Sequence, residues 1–85
     1  MEVYVLSIID YCNDAREVIV FDSFDKAINA IVYELRAIYH MNEDDTYATE
    51  EEFNDIVDSM KEAIDRLGYC NDDSVYFVVD KREVK

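Results

Sequence analysis

The chain has no proline and a single glycine, Gly68. Without them there is little from which to build a flexible linker or a low-complexity segment. One glycine also cannot make the Gly-rich loop that cradles a phosphate. Histidine and cysteine are as scarce: His40, Cys12 and Cys70 are the whole supply. They fall short of the four ligands of a structural zinc site unless a carboxylate joins them or a dimer shares the site. No stretch reaches the apolar length of a membrane span, and no basic segment precedes an apolar core at the amino terminus. A cytoplasmic protein with reduced cysteines is expected. Basic residues are the last shortage: 8 Lys and Arg stand against 21 Asp and Glu, for a formal net charge of −13. Direct binding to nucleic acid or to an anionic membrane is thereby disfavoured, since both would repel this surface. Such a charge serves solubility or a basic partner.

Apolar residues are plentiful, at 51% of the chain, with seven Tyr and four Phe. That composition argues against an acidic disordered tail and for a folded unit of 85 residues. Val3 to Ile9 is a β-branched and aromatic run of strand length. Asn13, Asp14 and Ala15 supply a turn, and Glu17 to Asp22 a second strand, so residues 3–22 predict a β-hairpin. Asp22 or Ser23 can cap the next element, where Phe24, Ile28, Ile31, Leu35 and Ile38 trace one apolar stripe of a helix over 24–40. Residues 42–48 break the pattern. Thr49 and Glu52 then form a capping box, and Phe53, Ile56, Val57, Met60, Ile64 and Leu67 stripe a second helix over 50–67, with Gly68 placed for a left-handed cap. Ser74 to Asp80 predicts a third strand, with the residues from Lys81 on a frayed or edge-extending tail.

The expected fold is therefore α+β, in the order ββααβ: a three-stranded sheet with two antiparallel helices packed on one face. The third strand is expected parallel to the first and antiparallel to the second, beside either one. All three strands are apolar on both sides, whereas a sheet covered on one face normally alternates apolar with polar. Either the first helix wraps so that both faces are partly covered, or the open face binds another copy or a partner; the second is favoured, because two helices cannot cover both sides of a sheet this size. Polar substitutions at Tyr4, Ile8 or Tyr76 would test that.

The tetrapeptide Tyr-Cys-Asn-Asp occurs twice, at 11–14 and 69–72, and holds both cysteines. Each copy reads as a polar turn feeding an apolar strand. With those strands running opposite ways, the two turns would lie at opposite ends of the sheet, too far apart for Cys12 to bridge to Cys70. His40 ends the first helix, where its charge suits the helix terminus, and no third residue joins it to a cysteine as a catalytic group. The run 42–53 lacks the glycine and the alternating ligands of a calcium loop. No catalytic residue, cofactor or metal is expected.

What remains is the acid. Glu43, Asp44, Asp45, Glu50, Glu51, Glu52, Asp55 and Asp58 follow one another with no basic residue between; further along the same helix Glu62 and Asp65 are partly offset by Lys61 and Arg66. Carboxylates three and four apart on a rigid helix stand about 5–6 Å apart, a spacing comparable to that of phosphates along a nucleic-acid strand. Tyr47, beside them, could stack where a base would. The candidate partner-binding residues are thus Glu43, Asp44, Asp45, Tyr47, Glu50, Glu51, Asp55, Asp58 and Glu62.

In size, charge and this ridge, the chain resembles the phage-encoded inhibitors that imitate nucleic acid: anti-CRISPR proteins, restriction inhibitors and blockers of host nucleoid proteins. The likeness rests on no shared motif. It implies a non-enzymatic protein, acting in the host cytoplasm, that occupies the basic channel of a nucleic-acid-binding protein or nuclease complex. The alternative is a structural or adaptor protein that homodimerises or binds a partner through the open face of the sheet.

Overall fold

Residues 2–10 contain no backbone breaker, and their side chains suit a pleated surface, so they form one uninterrupted strand, β1 (Glu2–Asp10). The computed structural model describes residues 1–41, 44, 46, 48–72 and 74–84. The turn after β1 is held by one carboxylate. Asp10 accepts from the Cys12 N–H at 3.1 Å, the Asn13 N–H at 3.3 Å and the Asn13 side-chain amide at 2.7 Å. Asp14 takes the left-handed conformation (φ 51°) that closes the turn. β2 (Ala15–Phe21) then pairs antiparallel with β1, Leu6 opposite Ile19 and Tyr4 opposite Phe21.

The Asn13 side-chain amide, helped by the two backbone N–H groups, holds the Asp10 carboxyl below its usual value of 3.8. A lowered folded pKa means a contribution that is whole above the unfolded value and is lost as pH falls through the folded one. Acid titration should therefore release the Asn13 side-chain amide resonance below about pH 4 while the helices persist. An Asn13 signal unmoved down to unfolding would show that the turn stands without this anchor.

Ser23 caps α1 (Phe24–Ile38), accepting from the Lys26 N–H at 3.2 Å, with Asp25 in the first turn. The helix ends in a left-handed residue, His40 (φ 56°), and the Met41 N–H returns to the Arg36 carbonyl at 2.8 Å. Met41 is buried there, the hydrophobic contact that accompanies such endings. Thr49 and Glu52 make both bonds of the capping box at the start of α2 (Glu50–Leu67), at 3.1 and 3.2 Å. Gly68 (φ 82°) closes that helix, where its lack of a side chain removes the strain of a left-handed backbone.

Two elements follow α2 where one strand was expected. β3 (Tyr69–Asp72) and β4 (Val75–Glu83) form a second hairpin, and the sheet has four strands in the order β2-β1-β4-β3, every neighbour antiparallel. The order is thus ββααββ, not ββααβ, and the last long strand runs antiparallel to β1 rather than parallel. The extra strand reverses the chain once more before β4 begins. The second Tyr-Cys-Asn-Asp copy is therefore a strand, not a turn. The two hairpin turns also meet at the same end of the sheet, where the Tyr11 N–H donates to the Ser74 carbonyl at 3.0 Å. Opposite ends thus do not separate the cysteines. Cys12 lies in the exposed turn and Cys70 on β3 opposite Phe77, and both are free thiols. The residues beyond Asp80 extend β4 through Glu83, paired with β1, instead of fraying.

The core lies on one side of the sheet. Leu6, Ile8, Phe77 and Val79 are buried there against Ala27, Ile28, Ile31 and Leu35 of α1 and Phe53, Val57, Met60 and Ile64 of α2. Tyr4 and Ile8 belong to this covered face, so they are not the open-face probes that alternation alone made them. Tyr76 is one: its register places it beside Ile9 on the other side.

Candidate acidic and apolar faces

α2 buries Phe53, Val57, Met60 and Ile64, which turns Glu51, Asp55, Asp58 and Glu62 outward in one stripe. The stripe spans about 16 Å at 1.5 Å per residue. All four side chains are exposed, and the capping box and the buried face hold the helix that carries them. Two of the expected ridge residues are compensated. Arg36 of α1 reaches Glu50 at 3.5 Å, with its guanidinium 5.4 Å from the Phe53 ring centroid. Arg66 lies 3.9 Å from Glu62. Sequence order hides the first of these, because Arg36 comes to the ridge from another helix. Among the described residues Glu51, Asp55 and Asp58 have no ion pair, and they form the uncompensated centre. Asp44 is exposed. Glu43, Asp45 and Tyr47 lie outside the described residues.

Beside Asp55, a groove of about 490 Å³ runs between α2 and β3. On its walls are Met60, Cys70, Asn71 and Phe77, with the Tyr39 hydroxyl donating to Asp72 at 2.8 Å. Sequence reasoning missed this groove because Tyr69 to Asp72 was assigned to a turn. In the fold those residues alternate exposed and half-buried as a strand does, but in the sequence the turn propensity of Asn71 and Asp72 outweighs the strand propensity of Tyr69. Burial, and after it the nearby Asp72 charge, push the Cys70 thiol up to about 11 from 9.0. A thiol held protonated is a poor nucleophile. Two units correspond to about a hundredfold less thiolate at a given pH. At pH 8, alkylation should therefore modify exposed Cys12 first and Cys70 only slowly until denaturant is added. Equal rates at both positions would refute the buried thiol.

No cluster of three or more His, Cys, Asp or Glu side chains among the described residues is arranged to hold a metal ion. No helix among them is long and apolar enough to cross a membrane.

Among the described residues no helix covers the other side of the sheet. Its outward positions are Val3, Val5, Ser7 and Ile9 on β1, Arg16, Val18 and Val20 on β2, Tyr76, Val78, Asp80 and Arg82 on β4, and Tyr69 and Asn71 on β3. Val18 is 56% exposed, Val20 60% and Tyr69 48%. Tyr11 packs edge-on against Tyr76, ring centroids 5.2 Å apart, and extends the apolar surface past the turn. The molecule thus has an acidic helical side and an apolar sheet side.

No family model, no curated protein and no solved structure matches this chain.

Proposed function

We propose that this protein is a non-catalytic binding protein that presents the α2 carboxylate stripe to a basic surface of the kind that binds nucleic acid. The observation that carries this is the uncompensated centre of the stripe: Glu51, Asp55 and Asp58, exposed on one rigid helix with no cation paired to them among the described residues. Glu50 to Glu52 also favour the positive end of the helix. Asp55 and Asp58 stand beyond the first turn and gain little from it. Their repulsion is a cost to the isolated fold that a basic partner would relieve. The action is a blockade: the helix lies where a phosphate backbone would lie, and nucleic acid is kept out.

The test is competitive capture. Immobilised protein is exposed to purified nucleic-acid-binding proteins with basic channels, at low and high salt, with and without DNA or RNA. Capture that weakens steeply with salt and is displaced by nucleic acid supports the reading. Capture indifferent to both, or none from a broad panel, overturns it.

A further inference from the structure

We infer that the open face of the sheet is the contact surface for a second copy of this chain, joining two molecules face to face with both helical layers outward. This does not rest on the α2 reading, since it uses the opposite side of the molecule.

The first argument is where the charge lies. The chain carries a net −13, yet the outward positions of the sheet hold two cations, Arg16 and Arg82, and one anion, Asp80. The face is therefore +1 on a strongly acidic protein. The other acids on β1 and β2 fall on the helix side or at its margin: Glu2, Asp10 and Glu17 occupy the same alternation as Tyr4, Leu6 and Ile8. Two copies meeting helix to helix would repel, whereas two meeting sheet to sheet put their least acidic surfaces together.

The second argument is that the charges on the face are complementary to themselves. Ser7 lies at the centre, between Val18 on β2 and Val78 on β4. Arg16 is two residues before Val18, beside Ile9, and Asp80 two residues after Val78, beside Val5. The two therefore stand at opposite corners about Ser7. A two-fold axis between the faces, passing over Ser7 and perpendicular to that diagonal, sets each Arg16 against Asp80 of the other copy. The two sheets then cross steeply, within the orthogonal class of sheet packing. Arg16 has no ion pair among the described residues of its own chain, whereas Arg82 already lies 3.4 Å from Asp80. Ser7, small and central, leaves a hollow that the surrounding valines of the other copy can fill.

The third argument is area. Three strands of about seven residues and β3 with four, at about 4.8 Å between strands and about 3.3 Å per residue, give a footprint of roughly 400 Å² per copy. Two copies then bury about 800 Å², the size of a weak, reversible contact. Val3, Val5, Ile9, Val18, Val20 and Val78 adjoin one another across that face rather than standing singly. A reversible dimer, not an obligate one, is the expected product.

Sedimentation equilibrium of the full chain over a concentration series provides the test. A concentration-dependent dimer is expected, and added salt should strengthen it by screening the net charge. Val18→Lys and Val20→Lys, both at exposed positions, should each weaken the dimer by about tenfold or more, with circular dichroism confirming that the fold is kept. Tyr33→Lys, on the exposed side of α1, should leave it intact. Arg16→Asp and Asp80→Arg should each weaken association, and the two together should restore it. A monomer at every concentration and salt would overturn the inference. So would a dimer untouched by the two lysine variants, which would place the contact at a strand edge or elsewhere. A double swap that fails to restore association would overturn the two-fold arrangement.

Discussion

Phe77→Ala is expected to destabilise the fold by about 3–5 kcal/mol, the range for truncating a fully buried phenylalanine. Phe77 is wholly inaccessible to solvent. It stands on β4 opposite Ile8 on one side and Cys70 on the other, facing the helices. Its ring is thus the piece shared by β1, the second hairpin and the helical layer, and three elements lose contacts when it goes. A chain of 85 residues has a total stability of about 4–13 kcal/mol by the usual per-residue scale. One truncation therefore removes about a quarter of it or more. Urea unfolding at fixed protein concentration is the measurement, since any self-association adds a concentration-dependent term. Tyr33→Ala, at a position 70% exposed, should shift stability by less than about 0.5 kcal/mol. A loss below about 1.5 kcal/mol for Phe77→Ala would mean that the cavity collapses, and that the ring is not the common support of the three elements.

The second large effect concerns α2. Replacing Glu51, Asp55 and Asp58 together with lysine is expected to weaken binding to a basic partner by roughly a thousandfold, about a factor of ten per reversed charge. The variant should remain folded. Glu51 loses a favourable interaction with the helix dipole worth about 0.3–1 kcal/mol, but a lysine at 55 gains Glu52 three residues back and one at 58 gains Glu62 four residues on, by a similar amount. The salt dependence of the residual binding should flatten in the same variant, because fewer counterions are exchanged. Folded protein that binds as tightly after the reversal would remove α2 from the interface. The sheet-face lysine variants serve as the counter-control: they should alter self-association without changing the salt dependence of partner binding.

Much of the local structure was legible. Ser23, Thr49 with Glu52, and Gly68 announce helix ends through bonds made within three or four residues. The stripes from Phe24 to Ile38 and from Phe53 to Leu67 announce buried helical faces through a period that needs no partner to be seen. The first hairpin is equally local, because a polar turn sets the register between its two strands. The acidic stripe follows from the second helix alone: once the residues from Glu50 to Leu67 are helical, Glu51, Asp55 and Asp58 must share a side.

The strand at Tyr69 to Asp72 was not legible. Asn71 and Asp72 carry turn propensity, and pairing with Val75 and Tyr76 overrides it only when β4 is already in place. With that strand unseen, the direction of β4 came out reversed, and with it the prediction that the two hairpin turns lie apart. Nor could alternation reveal which face of β1 the helices take, since Val3, Val5 and Ile9 are as apolar as Tyr4, Leu6 and Ile8. The approach of Arg36 to Glu50 needs two helices to be set side by side. Composition, caps and periodicity act over a few residues, and they determined the two helices, the first hairpin and the acidic stripe. Strand partners, the covered face and the neutralising cation depend on groups distant in the chain, so only the packed sheet and helices decided them.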